Sequence, residues 1–365
     1  MLYYISEKTV ELAERNNSSV INMLDNLYLA WRNGRCLIDS SRDNLQRLSE
    51  INKGYISILK SKQGLRDIYQ KIDFYVILLF NTSIEHDNSP RVIEKAIGHY
   101  LDFYKINDER LFSNNNLLCE HVEDAEIYSW GSSFYIDTET RNVRLNVTEQ
   151  QGGGHAIRDI AKNYNEHKQL TLCLLDSDKS HPKDSMGQTA NDFTIQFKNV
   201  NTPFLWYYVI NAHEIENIIP FPVLNNCGVL TKKFITNHVA VDFSDPVIGM
   251  FFRYWDSKEG FKPSDLRCIR DNYPQSLPKV INLLMQYGVK QCRIMNELSR
   301  GYNPERNAAL LHGFGYDTLS KAAEYVKYVP NDISIFKLDA YQKKVWLRIS
   351  RLVWSIGCAI KPKRV

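Results

Sequence analysis

The chain has 365 residues, enough for two or three modules of ordinary size. Hydrophobic residues make up 44% and charged residues 24%, which excludes wholesale disorder, and 45 Lys and Arg against 42 Asp and Glu exclude a polycation. Seven scattered cysteines without a CxxC pair indicate neither a zinc ribbon nor a disulfide framework, and they suit a reducing cytoplasm. The most apolar run, Phe74 to Phe80, is far short of the ~20 residues that span a bilayer, and the N-terminus lacks a secretory pattern. A cytoplasmic protein without membrane contact is expected.

Charge is unevenly placed. Residues 1–112 carry about 0, residues 113–220 about −7 and residues 221–365 about +10. Residues 1–112 show apolar positions at helical spacing (Val10, Val20, Met23, Leu24, Leu27), and a further helix is predicted through Val92, Ile93, Ala96, Ile97 and Tyr100 beyond a polar loop at 81–90. This section reads as a helical scaffold or docking region. Residues 113–222 alternate short apolar runs with helical patterns. Leu117–Cys119, Val143–Val147, Thr171–Leu175 and Trp206–Ile210 are predicted strands, with a helical stripe through Ala156–Tyr164 after Gly152-Gly153-Gly154. Such alternation implies a mainly parallel α/β sheet, whose ligands gather beyond the carboxyl ends of the strands. Residues 223–365 return to helical periodicity, ending in a predicted helix from Tyr341 to Ile360.

Acidic residues follow the predicted strands. Glu120, Glu123 and Asp124 come after the first, Asp176 and Asp178 after Leu172–Leu175, and Glu214 and Glu216 after Trp206–Ile210. Any one of them could merely cap a helix. Grouped at one sheet edge, hard oxygen donors suit Mg²⁺ or Mn²⁺, and two such ions can activate water against a phosphodiester. No GxxxxGK[ST] occurs, so a Walker-type NTPase loop is absent from the sequence, and the three glycines read mainly as a tight strand-to-helix turn.

These residues carry a resemblance. Leu117-Leu118-Cys119-Glu120-His121-Val122-Glu123-Asp124 resembles the opening Glu motif of Toprim domains, although His121 stands where the family usually has Gly. Leu174-Leu175-Asp176-Ser177-Asp178 is similar to the family's Asp-x-Asp, and His213-Glu214-Ile215-Glu216-Asn217 resembles the Glu-rich segment of Toprim nucleases of the overcoming-lysogenization-defect type and related antiphage effectors. The resemblance covers roughly residues 113–222. It implies a Toprim-like parallel sheet in the middle of the chain, flanked by mainly helical regions. It also implies Glu120, Asp124, Asp176, Asp178 and Glu216 as holders of Mg²⁺ or Mn²⁺, two ions in all, with Glu120, Asp176 and Asp178 as the catalytic set. The implied activity is cleavage of DNA or RNA in defence against phage, under control of a separate ATPase or sensor protein. A homo-oligomer is also compatible.

Other readings use the same residues. Asp176 and Asp178 could serve as nucleophile and acid of a haloacid-dehalogenase-like phosphatase, which leaves Glu120 without a role. A degenerate Toprim module could bind nucleic acid or protein without cutting, but clustered carboxylates repel one another without a cation. The last helix supplies Lys343, Lys344, Arg348 and Arg351 as candidate phosphate contacts, while Trp346 and Trp354 among them read as core.

Overall fold

Short unbroken apolar runs become strands in this chain where helices can cover both faces. The computed structural model describes residues 1–62, 65–79, 91–102, 114–199, 202, 204–300 and 308–362. By compactness the chain divides into two units. One comprises residues 1–174, 196–208 and 348–365, the other residues 175–195 and 209–347.

The first unit opens on a five-stranded sheet. Its strands are β1 (Leu2–Ile5), β2 (Leu37–Asp39), β3 (Phe74–Leu79), β4 (Val92–Ile93) and β5 (Ala96–Asp102), in the order β2-β1-β3-β5-β4. All pairs are parallel except the short β4–β5 hairpin. Helices at Glu7–Glu14 and Ser18–Arg32 cross from β1 to β2, and three more between Arg42 and Lys71 cross from β2 to β3. Every residue of β1 and β3 is buried, as expected of parallel strands covered on both faces. The N-terminal section is therefore α/β and not mainly helical. Periodicity cannot separate a run of three to six apolar residues from a helical segment, which explains the difference. The helix expected through Val92–Tyr100 is instead β4 and β5, where Ile97 and Tyr100 are exposed and Gly98 lies close against Tyr75 and Ile77 of β3. Phe80, the polar loop at 81–90 and the boundary at 112 lie outside the described residues.

A second sheet contains β6 (Asn115–Cys119), β8 (Val147–Gln151), β9 (Thr171–Leu175) and β10 (Leu205–Val209) in the order β10-β9-β6-β8. Between β6 and β8 runs β7 (Val143–Leu145), so the single expected strand at Val143–Val147 is two. β6 pairs parallel to β8 and to β9. The Thr171 N–H donates to the Phe204 carbonyl and the Ile210 N–H to the Leu175 carbonyl, so β10 advances in the same direction as β9. The middle of the chain is thus a parallel α/β sheet. The last helix, Ala340–Gly357, ends in β13 (Cys358–Ile360), which pairs antiparallel to β7.

The described residues of 221–347 are mainly helical, and β11 (Gly260–Phe261) pairs antiparallel to the distant β12 (Leu311–His312). Their core is aromatic. Phe234, Phe251, Phe252, Trp255 and Tyr287 are buried, with Phe234–Tyr287 centroids 4.9 Å apart and Phe251–Phe252 5.2 Å apart. Trp346 and Trp354 are core residues, as expected. Their indole N–H groups donate to the Ile218 carbonyl (2.7 Å) and the Ser132 carbonyl (2.8 Å). Among the described residues no helix is long and apolar enough to cross a membrane.

Candidate metal centre

β6, β8 and β9 are parallel neighbours, so their carboxyl ends share one edge of the sheet. Leu117, Leu118 and Cys119 are fully buried, and the chain leaves the sheet at half-buried Glu120. After β8 the glycines form the expected tight turn. The Gly152 N–H donates to the Cys119 carbonyl (2.7 Å) and the Gly153 N–H to the Glu120 carbonyl (2.9 Å), tying this turn to the end of β6. Gly153 and Gly154 have φ of +68° and +57°, the left-handed region where glycine carries no steric penalty. Asp124 is buried, and its Oδ2 accepts from the His121 backbone N–H at 2.8 Å. That bond closes the start of the helix Val122–Ser133, so Asp124 has a capping role.

β9 leads directly into half-buried Asp176 and exposed Asp178. The loop between them is pinned by backbone. The Ser177 and Asp178 N–H groups both donate to the His213 carbonyl (3.1 and 2.9 Å), and the Ser177 hydroxyl donates to the Ala212 carbonyl (2.6 Å). Asp178 has φ of +51°, a conformation Asp and Asn tolerate better than other residues. Its carboxylate lies against Gly187, where an added β-carbon would collide with the Asp178 side chain. Gly187→Ala should therefore displace Asp178, and were Asp178 to hold Mn²⁺ it should at least halve the rise in melting temperature that the ion produces. An unchanged Mn²⁺ response would show that Asp178 needs no fixed position. Asp178→Asn is the informative substitution at the acid itself, because Ala would add backbone strain.

The same loop joins the Glu-rich segment. Glu214 precedes a 3₁₀ turn, Ile215–Ile218, and its N–H donates to Asn217 Oδ1 (3.2 Å). The Asn217 amide in turn donates to the carbonyls of Phe252 (2.8 Å) and Trp255 (2.9 Å). This brings the turn after the helix Pro246–Tyr254 against the carboxylates. Lys258 Nζ lies 2.8 Å from Glu214 Oε2 and 3.1 Å from Glu216 Oε1, and the Ser257 hydroxyl donates to Glu214 Oε1 (3.0 Å). Glu216 is 1% exposed. Burial, then the neighbouring Glu214, pushes its carboxyl up to about 8 against the opposing pull of Lys258. Burial disfavours the Lys258 charge, but Glu216 and Glu214 outweigh it and hold its pKa above the ordinary lysine value.

One group among the described residues gathers three ligand-type atoms within 4.8 Å of one another: His213, Glu214 and Asp256. His213 Nδ1 lies 2.9 Å from the Lys179 carbonyl, which requires a proton on Nδ1 and leaves the lone pair of a neutral ring on Nε2. Glu120, Asp176 and Asp178 carry carboxylate oxygens, the donor type that Mg²⁺ or Mn²⁺ takes, but they are not part of this group. Glu216 fits less well, because the cation facing it is the Lys258 ammonium. The structure thus brings the Asp176–Asp178 loop together with the His213–Glu216 segment. It also adds Asp256, Ser257 and Lys258, which the sequence reading passed over. No local motif marks those three, since they come from an irregular turn far downstream.

The four basic residues of the last helix separate into two pairs. Lys343 and Lys344 are exposed and make no ion pair among the described residues. Arg348 pairs with Asp73 Oδ2. Arg351 donates to Asp73 Oδ1, the Gln70 carbonyl and the Ile72 carbonyl, each at 2.6 Å. No protein-family model, curated protein or solved structure matches the chain.

Proposed function

We propose that this chain is a divalent-metal-dependent nuclease with a Toprim-like catalytic sheet. The observation that carries the reading is the parallel β9-β6-β8 arrangement, in which Glu120 and Asp176 each directly follow a buried strand. Bound Mg²⁺ or Mn²⁺ ions, two in the full proposal, would polarise the scissile phosphate and lower the pKa of the attacking water. Glu120, Asp176 and Asp178 would hold them, with Glu120 nearest the reacting phosphate as ligand or base. Asp124 would support Glu120 through the helix start it caps. Glu216, with its Lys258 partner, would fix the segment behind the Asp176–Asp178 loop. The biological reading is a defence effector held in check by a separate ATPase or sensor protein.

The purified 365-residue chain, incubated with plasmid DNA, total tRNA and p-nitrophenyl phosphate in EDTA, Mg²⁺ or Mn²⁺, tests the reaction class. Metal-dependent cleavage of nucleic acid is expected. Released nitrophenol without nucleic-acid cleavage would select the phosphatase. Binding without cleavage in any metal would select the non-catalytic module.

Nucleic-acid contact by the last helix falls to Lys343 and Lys344, because Arg348 and Arg351 are engaged with Asp73. Lys343→Gln with Lys344→Gln should flatten the slope of log affinity against log salt by roughly 1–2 and shift stability by no more than ~0.5 kcal/mol. Arg351→Gln should instead cost about 1.5–3 kcal/mol of stability, because it breaks a charge-assisted bond and strips a donor from two carbonyls. Denaturant melts and salt-series binding measure both. An unchanged salt slope in the lysine double variant would make these ordinary surface charges.

A further inference from the structure

The second unit contains a cavity of about 430 Å³ that the metal centre does not use. That volume lies within the range of small-molecule sites. Its apolar wall is aromatic. Phe234 and Tyr287 have ring centroids 4.9 Å apart, and Phe314 stands edge-on to Phe234 at 5.0 Å. Phe234 and Tyr287 are buried, while Phe314 is half-exposed and offers ring surface to an occupant. The polar side is cationic. Lys233, Lys290 and Arg293 line it, and none of its described lining residues is acidic.

The three cations are available. Lys233 and Lys290 make no ion pair among the described residues. Lys233 is positioned by the turn opposite, since an added β-carbon at Gly288 (φ +87°) would run into its ammonium group. Arg293 has one Nη anchored on the carbonyls of Ala308 (3.2 Å) and Ala309 (3.1 Å), which orients the guanidinium but supplies no counter-charge. Three cations without an ion pair among the described residues, set beside these clustered rings, repel one another and gain from an anion. The apolar wall narrows the choice of anion. A bare phosphate would leave the rings uncovered, and a hydrocarbon chain would leave the cations unpaired. A planar base joined to a phosphate satisfies both sides, by stacking on Phe314 and by charge-assisted bonds to Lys233, Lys290 and Arg293.

We propose that this cavity binds one nucleotide, with its base against the aromatic wall and its phosphate on the basic rim. The occupant is either a free nucleotide or an unpaired nucleotide of a strand, and the two sources share this chemistry. The site is independent of the Glu120/Asp176 centre.

Calorimetric titration of the 365-residue chain in EDTA tests the assignment without involving the metal centre. The probes are AMP, ATP, adenosine, sodium phosphate and a 5′-phosphorylated single-stranded heptanucleotide. AMP or ATP should bind more tightly than adenosine and phosphate alone, and affinity should fall as salt rises. Lys233→Gln with Lys290→Gln, and separately Phe314→Ala, should each weaken binding about tenfold, while Glu120→Gln leaves it unchanged. Heptanucleotide binding without mononucleotide binding, with the same two losses, would make the cavity a strand subsite and support the same chemistry. Three results would overturn the proposal: no nucleotide or strand bound at millimolar concentration, affinity untouched by both variants, or phosphate bound as tightly as AMP.

Discussion

Glu120→Gln and Asp176→Asn should each slow metal-dependent cleavage by about 10²–10³-fold. A metal ion contributes several kcal/mol of charge stabilisation at a phosphoryl transition state, and each 1.36 kcal/mol is a factor of ten in rate. Both substitutions keep the shape of the side chain and remove its charge. Each also leaves its strand intact, because Glu120 and Asp176 lie just beyond β6 and β9. The melting temperature of the metal-free protein should therefore stay level or rise slightly, as repulsion is relieved. Single-turnover rates at saturating Mn²⁺, set beside a thermal melt in EDTA, separate chemistry from folding. Rates within about threefold of the unmodified chain would remove these carboxylates from the reaction.

Lys258→Met should produce the largest loss of stability, about 3 kcal/mol at pH 8. Removing one partner of a buried ion pair typically costs 3–5 kcal/mol, and Lys258, with a quarter of its side chain exposed, belongs near the lower end. The loss depends on pH through Glu216. Its folded pKa is raised from 4.5 to about 8, so the native state holds a proton that the unfolded chain has released between those values. The stability contributed by that proton is fully present below 4.5 and is lost as pH rises through 8. The Lys258→Met deficit should accordingly be smaller at pH 5.5, where Glu216 is neutral, than at pH 8. Glu216→Gln should flatten the fall of stability between those pH values in the otherwise unmodified chain. Urea melts at the two pH values measure this, and equal deficits at both would mean that Glu216 keeps an ordinary carboxyl pKa.

The second sheet was legible in the sequence because β6, β9 and β10 each contain an uninterrupted apolar run, at 117–119, 172–175 and 205–209. The first sheet was hidden by its connections. Five helices separate β1, β2 and β3, and their strong amphipathic patterns dominate any window that contains the short strands. Two further features depend on tertiary contact and leave no local trace. Asn146, whose N–H donates to the Gly357 carbonyl (2.7 Å), marks the point where one expected strand becomes β7 and β8. Gly357, the final residue of the last helix, lies so close to Leu145 and Val147 that a β-carbon there would collide with them, and the apolar run beyond it becomes β13. At the candidate site, the acids at the strand ends were visible because each follows an apolar run. Asp256, Ser257 and Lys258 were not, since only the Asn217 hydrogen bonds to Phe252 and Trp255 bring that turn against Glu214 and Glu216. The capping bond of Asp124 likewise distinguishes it from Glu120, a difference that spacing alone does not show.

Titrating Mn²⁺ into metal-free protein by calorimetry tests the central claim without requiring a substrate or an activating partner. The expected result is saturable binding by the unmodified chain, lost or weakened at least tenfold in both Glu120→Gln and Asp176→Asn, and retained in Lys343→Gln with Lys344→Gln. Mn²⁺ binding of equal affinity in the unmodified chain and both acid variants, or no binding at all, would contradict a metal centre at the ends of β6 and β9.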